Sequence, residues 1–206
     1  MTDPALALSL FSTPVTMFDL PGMADANREI AARLLEEERT VRGVERANVG
    51  GWHSMPDLAH RTEPCFRALM QAIVNHVGQV MTVLARDAGI GSPPAFRYGL
   101  SAWGMVLRDG HYVTTHDHGD AHWSSAYYVD AGDDAPAPSG RLAFLDPRRS
   151  ARAQAELEVF PSTFELAPRT GALVIFPGWL QHFVHPYRGT RPRICVSCNV
   201  VTSRGP

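Results

Sequence analysis

From Arg97 onward the chain alternates short β-forming segments with turn residues, and this pattern constrains the fold more than any other feature. The segments are rich in aromatic and β-branched residues and are separated by Gly, Pro and Asp: RYGLSAWGMVLR, HYVTTH, HWSSAYYV, GRLAFLDP, GALVIFP, WLQHFVHPY and RICVSCNVV. Short strands bounded by such turn residues are typical of antiparallel sheets. We therefore predict an antiparallel β-sandwich or jelly roll over residues 97–206.

The N-terminal part of the chain has a helical pattern instead. An amphipathic helix is predicted over residues 24–42, and a longer one over residues 63–88, because apolar residues recur there at helical spacing. Thr62 is the expected N-cap of the longer helix and Gly89 its expected C-cap. The order of elements predicts a mainly β protein with N-terminal helices, an α+β chain whose helices pack on one sheet.

Length and composition indicate one globular domain. The chain has 206 residues, of which 45% are hydrophobic and 19% charged. We predict a single domain over residues 1–206, with a helical part at 1–96 and a β core at 97–206. The net charge of −2 gives no global attraction for nucleic acid or an anionic membrane.

Targeting signals are not apparent in the sequence. No apolar run approaches the roughly 20 residues that a membrane helix needs. The N-terminal segment MTDPALALSLFSTPV lacks the positively charged start of a signal peptide. We therefore expect a cytoplasmic protein without nucleic-acid or membrane partners, and a homodimer is compatible with these features.

The complete lack of lysine restricts the chemistry. All nineteen positively charged side chains are arginine. Schiff-base, lysine-nucleophile and P-loop chemistry each need a lysine amine and are therefore excluded. An anionic ligand has to be bound by arginine, histidine or backbone N–H groups, and the planar guanidinium of arginine suits a carboxylate.

Histidines are concentrated in two segments that form a candidate metal site. In TTHDHGDAHW, His116 and His118 are two residues apart, so on a strand both imidazoles point to the same face. WLQHFVHPY offers His182 and His185, which are three apart and cannot both point inward on a strand. Neutral imidazoles suit Fe, Zn, Cu or Ni, whereas Mg prefers oxygen ligands. The pattern predicts a transition-metal site.

Several stretches resemble a known family of 2-oxoglutarate–Fe(II) oxygenases, and they follow the order of that family. They are ANVGGWHSMPDL, AWGMVLRDGHYVTTHDH, SSAYYV, GRLAFLDPR, TGALVIFPGWLQHFVHP and RPRICVSCNV. The resemblance implies a double-stranded β-helix, a jelly roll of the cupin-like type, with Fe(II) and 2-oxoglutarate between its sheets. It also implies that His116, His118 and His182 are the metal ligands and that Arg193 binds the co-substrate.

The chain departs from the wider superfamily at the metal site. Most members have His-x-Asp plus a distant histidine, whereas this chain has His-Asp-His, which favours a face of three histidines. A rival pattern exists, because His118-Gly119-Asp120 is itself His-x-Asp. The pattern of the family that the chain resembles has both histidines and no acidic residue at the position of Asp120. We therefore prefer the three-histidine face.

Further candidates for co-substrate binding lie on two of the predicted strands. The family that the chain resembles usually has a polar residue two positions after the arginine. Cys195 occupies that position here, and we expect Ser197 to bind the co-substrate in its place. Tyr128 shares a strand face with Ser124 and Ala126 and is expected either to reach the co-substrate carboxylate or to pack in the core.

The resemblance implies a dioxygenase that hydroxylates a small molecule or a peptide while decarboxylating 2-oxoglutarate to succinate, supported by ascorbate. Two alternatives remain open. One is a cupin-like three-histidine metalloenzyme that does not use 2-oxoglutarate, and the other is a non-catalytic metal-binding β-sandwich. The loops at 131–140 and 147–170 are expected to select the substrate.

Overall fold

The described residues form two antiparallel sheets, two α-helices and two short 3-10 helices, Pro21–Met23 and Leu58–His60. A computed structural model describes residues 11–91, 93–148, 152, 154, 156 and 161–205, so part of the predicted loop at 147–170 lies outside the described residues. In chain order the elements are β1 (Thr16–Asp19), α1 (Ala24–Thr40), β2 (Asn48–Val49), β3 (Trp52–His53), α2 (Pro64–Asp87), β4 (Phe96–Leu107), β5 (Tyr112–His116), β6 (Trp123–Asp130), β7 (Leu142–Leu145), β8 (Thr163–Leu166), β9 (Ala172–Pro177), β10 (His182–Val184) and β11 (Arg193–Arg204).

The strands pair as two facing sheets. The larger sheet has the order β1-β9-β6-β11-β4-β3 and the smaller one the order β2-β5-β10-β7-β8. Every pairing between these strands is antiparallel. Apart from the consecutive pairs β3–β4 and β7–β8, strands adjacent in each sheet are not consecutive in sequence, as in a jelly roll. The predicted fold class, a jelly roll with N-terminal helices, is therefore confirmed.

Strict alternation along the larger sheet separates two hydrophobic cores. On β9, Leu173 and Ile175 face the helices, whereas Val174 and Phe176 face the smaller sheet. The helix-side core includes Ile30, Leu34, Phe66, Leu69, Ile73 and Val77. Side chains of successive strand residues point to opposite faces, so one strand serves both cores. The predicted packing of the helices on one sheet is confirmed.

The longer helix begins and ends close to the predicted positions. Its N-cap is Glu63 and not Thr62, and Glu63 makes no side-chain capping bond. The C-cap is Ala88, and Gly89 follows it with a φ of +70°. Gly89 tolerates this left-handed conformation because it has no Cβ, which explains why the helix ends there.

By length and composition alone, α2 is apolar enough to cross a membrane, with a mean hydropathy of 1.3 over its most apolar window. The sequence analysis did not single it out, because polar residues such as Gln71 and Asn75 interrupt the apolar ones. In the structure, Phe66, Ile73 and Val77 of this helix are fully buried in the helix-side core. Their burial accounts for the apolar composition.

Three short strands within residues 1–96 were not predicted. Because β1, β2 and β3 have only two to four residues, they show no detectable periodicity. β2 belongs to the smaller sheet and β3 to the larger one, and only Gly50 and Gly51 separate them. Gly50 has a φ of +76°, and a Cβ on Gly51 would lie 2.3 Å from Cδ2 of Leu107. The two glycines therefore allow the tight corner at which the chain passes from one sheet to the other.

Candidate metal and co-substrate site

Three histidines converge on the inner face of the smaller sheet. β5 and β10 are neighbours, and His116 pairs directly with His182, with ring centroids 4.3 Å apart. The ring of His118 lies 5.0 Å from that of His116 and 5.2 Å from that of His182. One nitrogen from each ring lies within 4.8 Å of the others. This histidine cluster has the ligand type and spacing that one transition-metal ion requires.

The neighbouring candidates lie outside the cluster. His182 is 5% exposed and faces the pocket, whereas Nε2 of His185 lies 2.9 Å from Oε1 of Glu165. Asp120 is exposed and is not a member of the cluster. β5 ends at His116, so His118 lies two residues beyond the strand and not within it. Its ring nevertheless lies in the cluster with His116, as the two-residue spacing predicted.

Backbone carbonyls orient two of the three imidazoles. Nδ1 of His116 lies 2.8 Å from the carbonyl oxygen of Thr114, and Nδ1 of His182 lies 2.8 Å from that of Leu180. A carbonyl oxygen only accepts hydrogen bonds, so each Nδ1 carries the proton. The Nε2 atom of each ring then keeps its lone pair, which is the state that metal ligation requires.

Burial keeps the three rings neutral. Burial and, to a smaller extent, the neighbouring His116 lower the pKa of His182 to about 3 and the pKa of His118 to about 4. Burial lowers the pKa of His116 as well. Desolvation disfavours the charged form of an imidazole. At neutral pH all three rings are therefore unprotonated at one nitrogen and able to ligate a metal.

A second feature of the pocket is a buried pair formed by Arg193 and Tyr128. Arg193 begins β11 and is 3% exposed, and its guanidinium carbon lies 5.0 Å from the ring centroid of Tyr128 on β6. Both Nε of Arg193 and the hydroxyl oxygen of Tyr128 are buried, and neither has a hydrogen-bond partner among the residues that the structure describes. Buried polar atoms without partners are rare in native proteins and call for an explanation.

No acidic side chain within the described part of the chain forms an ion pair with Arg193. Burial raises the pKa of Tyr128 to about 12, so its hydroxyl stays protonated and can donate a hydrogen bond. A buried cation whose Nε has no hydrogen-bond partner among the described residues, beside a buried protonated phenol, fits an anionic group such as a carboxylate.

The histidine cluster and the Arg193–Tyr128 pair line the same pocket. Cys195 and Ser197 also line it, because alternate residues of β11 face inward. β4 and β9 contribute Trp103 and Phe176, which were not among the predicted site residues. Trp103 lies in AWGMVLR, and the inward alternation of that segment was the only available signal. No acidic residue is among those that line the pocket.

Comparison with known proteins gives a family match for the β core. Residues 101–199 match the family described as "Putative 2OG-Fe(II) oxygenase". This range contains all three histidines of the cluster together with Arg193 and Tyr128. No curated protein matches the chain at a significant level.

Solved structures share the fold over nearly the whole chain. The prolyl-4-hydroxylase of Pseudomonas putida is 16% identical with a TM-score of 0.63, covering 95% of this chain and 96% of that one. The α-ketoglutarate-dependent epimerase SnoN from nogalamycin biosynthesis is 15% identical with a TM-score of 0.61, covering 93% and 79%. HygX from Streptomyces hygroscopicus, solved with nickel, 2-oxoglutarate and hygromycin B, is 15% identical with a TM-score of 0.55, covering 91% and 83%.

At these identities the structural likeness concerns the fold, and the likeness to the family rests on the match of the β core. Over residues 101–199 the chain therefore resembles the enzymes of the 2OG-Fe(II) oxygenase family.

Proposed function

We propose that the protein is an Fe(II)- and 2-oxoglutarate-dependent dioxygenase that hydroxylates a small molecule or a peptide and converts 2-oxoglutarate to succinate and CO₂. The observation that carries the proposal is the buried Arg193–Tyr128 pair, which lines the same pocket as the histidine cluster. Nε of Arg193 and the hydroxyl of Tyr128 have no hydrogen-bond partner among the described residues. Bound iron would supply the activation of O₂, with 2-oxoglutarate as the source of two electrons.

The proposed roles follow from the donors that each residue offers. His116, His118 and His182 would hold the iron through neutral imidazoles. Arg193 would pair with the distal carboxylate of 2-oxoglutarate, and the hydroxyl of Tyr128 would donate a hydrogen bond to the same group. Ser197 lines the same pocket and is a further candidate donor to the co-substrate.

Charge balance supports an anionic co-substrate. The three imidazoles carry no charge, and no carboxylate lines the pocket, so a bound dianion meets no like charge. Its two carboxylates would face the guanidinium of Arg193 at one end and the metal cation at the other. Opposite charges attract strongly in a site of low dielectric constant, and a carboxylate at Arg193 would also satisfy the orphaned Nε.

The apolar side chains of the pocket would keep water away from the reacting atoms. Val113, Leu142, Phe176 and Val184 line it together with the aromatic ring of Trp103. Exclusion of water strengthens electrostatic interactions within a site and protects reactive species from side reactions. The chain thus provides ligands, orientation and shielding, while the iron and 2-oxoglutarate would supply the redox chemistry.

The experiment is oxygen-dependent formation of succinate from 2-oxoglutarate in the presence of Fe(II), with ascorbate to keep the iron reduced. We expect slow succinate formation in air without a prime substrate and none under argon. His182→Ala should abolish it, and His185→Ala should retain it, because His185 lies outside the cluster. Equal turnover in wild type and His182→Ala would contradict the proposal. So would a metal-loaded protein that neither turns over nor binds 2-oxoglutarate.

A further inference from the structure

One histidine of the cluster lacks the anchor that the other two possess. Nδ1 of His116 and Nδ1 of His182 are each fixed by a backbone carbonyl. The imidazole of His118 has no hydrogen-bond partner among the described residues. Its backbone is held, since its N–H donates to the carbonyl of Gly178 at 2.7 Å, but this bond does not orient the ring. Ligating histidines almost always have the second ring nitrogen hydrogen-bonded, and the described residues supply no such bond to the imidazole of His118.

Aromatic packing takes the place of the hydrogen bond. The ring of Trp103 lies 5.5 Å from that of His118, at an interplanar angle of 54°. On its other side, Trp103 is stacked on His53, with a centroid distance of 5.4 Å and an angle of 9°. Trp103 and His53 are 8% and 7% exposed, so both rings are held in the core. The three rings form a row of aromatic contacts, stacked between His53 and Trp103 and tilted between Trp103 and His118, that ends at the candidate metal site.

The far end of this stack is fixed by hydrogen bonds. Nδ1 of His53 lies 2.6 Å from the carbonyl oxygen of Ser54. The N–H of Ser54 donates to the carbonyl of Gly104, and the N–H of Gly104 donates to the Ser54 hydroxyl oxygen, each at 2.9 Å. These bonds tie the His53 segment to the residue next to Trp103. The Gly50–Gly51 corner delivers β3 to this position, where His53 pairs with Met105 on the inner face.

We infer that Trp103, backed by His53, is a positioning residue for His118, a role that rests on the proposed metal site. An imidazole without a hydrogen-bonded second nitrogen can rotate about its side-chain torsions, and rotation moves its lone pair away from the ion. The indole surface restricts this rotation, so the third ligand is oriented by packing. The GGWHS segment near the N-terminus thereby acts on a site more than sixty positions later, at His118.

The test measures Co(II) binding to the full-length protein by competition with a chromophoric chelator, together with the visible spectrum of the bound Co(II). Removal of the indole in Trp103→Leu should weaken Co(II) binding by roughly 10–100-fold, as for the loss of other groups that orient a ligand. The visible bands should shift, because the geometry around the ion changes. Trp103→Phe keeps an aromatic surface and should stay within a few-fold of wild type. His53→Ala should weaken binding by a smaller factor.

Trp52→Leu is the matched control. Trp52 precedes His53 on β3 but pairs with Val106 on the helix side of the sheet, and its indole N–H donates to the carbonyl of Val41. This variant removes an indole of equal size and should leave both the Co(II) affinity and the spectrum unchanged. If Trp103→Leu does not fold, His53→Ala and Trp103→Phe provide the same comparison with smaller effects.

The outcomes separate this inference from the proposed function. If wild type binds Co(II) but both Trp103→Leu and His53→Ala match its affinity and spectrum, the positioning role is wrong and the metal site stands. The role is also wrong if Trp52→Leu weakens binding as much as Trp103→Leu, since the effect would then be general destabilisation. Wild type that binds no Co(II) would reject the metal site and, with it, the positioning role.

Discussion

The guanidinium of Arg193 lies over the ring of Tyr128, and each of the two side chains keeps a buried polar atom unpaired. Leaving such an atom without a partner costs about 1–3 kcal/mol, and the cation–π contact offsets only part of that cost. Folding alone therefore does not explain the arrangement. A ligand that accepts from both groups would recover the cost on binding, which is how we interpret the pair.

Loss of any one histidine of the cluster should remove the metal. We expect His116→Ala, His118→Ala and His182→Ala to lose the one transition-metal ion per chain, measured by elemental analysis after gel filtration. His185→Ala should retain it, because its imidazole bonds Glu165 and lies outside the cluster. If His185→Ala lost the metal and His182→Ala kept it, the assignment of His182 as the ligand on β10 would be wrong.

Asp120 distinguishes the two possible metal faces. Asp120→Asn is nearly isosteric and removes only the negative charge. Because Asp120 is exposed and outside the cluster, we expect the metal affinity to change by no more than a few-fold. Chelator competition measures this directly. A face formed by His118 and Asp120 would instead predict complete loss of metal in Asp120→Asn and binding that survives in His116→Ala.

The metal-free protein should lose stability in acid. Burial lowers the folded pKa of His182 to about 3, below its usual value of 6.5. Between pH 6.5 and about pH 3 the unfolded chain binds a proton at His182 that the folded protein does not bind. The contribution of neutral His182 to the free energy of unfolding is therefore complete above pH 6.5 and decreases as the pH falls towards 3. The free energy of unfolding should fall by up to ~1.4 kcal/mol per pH unit for one such proton.

Urea denaturation of the metal-free protein at pH 7.5, 6.0 and 5.0 measures this slope. His182→Gln removes the titrating group and should flatten the dependence below pH 6.5, although its stability at pH 7.5 can differ from wild type. An unchanged slope in His182→Gln would mean that His182 does not contribute to the acid dependence.

Gly178 should not tolerate a side chain. A Cβ at this position would lie 2.2 Å from the carbonyl oxygen of Ala121 and 2.7 Å from that of His118. Gly178→Ala therefore forces the backbone of the His118 loop to move, and we expect a loss of roughly 1–3 kcal/mol in stability, as for other overpacked sites. Metal affinity should fall as well. Gly22→Ala is the control, because a Cβ there meets nothing within 4 Å. Equal thermal stability and metal affinity in the two variants would refute this reading of the loop.

Much of the fold and the main site candidates could be predicted from local sequence features. Short segments rich in aromatic and β-branched residues between turn residues predict β6 and β9. Both strands bury alternate residues against different cores. The spacing of His116 and His118 predicts that both rings share one face. The choice of His182 over His185 rested on a resemblance, and the structure brings His182 into the cluster.

The remaining features depend on contacts between distant segments. The two-residue strand β3 has no periodicity of its own, and its position follows from the Gly50–Gly51 corner and its pairing with β4. In the sequence, nothing distinguishes Trp103 from an ordinary core aromatic residue. Its contact with His118 is visible only in the folded structure. Likewise, the sequence cannot reveal that Arg193 has no acidic partner, because that depends on every side chain around the pocket.

The co-substrate role of Arg193 is the central claim, and it predicts a specific pattern of affinities. Loss of one partner from a buried charge pair costs on the order of 2–5 kcal/mol. At ~1.4 kcal/mol per tenfold change, Arg193→Ala should weaken 2-oxoglutarate binding by roughly 30- to 3,000-fold. The 2-oxoglutarate affinity of Arg193→Lys should lie between those of wild type and Arg193→Ala, because an ammonium group keeps the charge but lacks the planar geometry that a carboxylate matches. Metal content should stay at the wild-type level in both variants, because Arg193 is not a ligand.

The most direct measurement is an anaerobic titration of 2-oxoglutarate into the Fe(II)-loaded protein, followed through the visible charge-transfer band of the iron–2-oxoglutarate complex. We predict that the band develops in wild type with saturable binding, that Arg193→Lys requires more co-substrate, and that Arg193→Ala requires the most. A wild-type protein that holds iron but develops no band at saturating 2-oxoglutarate would favour a three-histidine dioxygenase that does not use this co-substrate. An Arg193→Ala variant that binds 2-oxoglutarate as tightly as wild type would contradict the role assigned to Arg193.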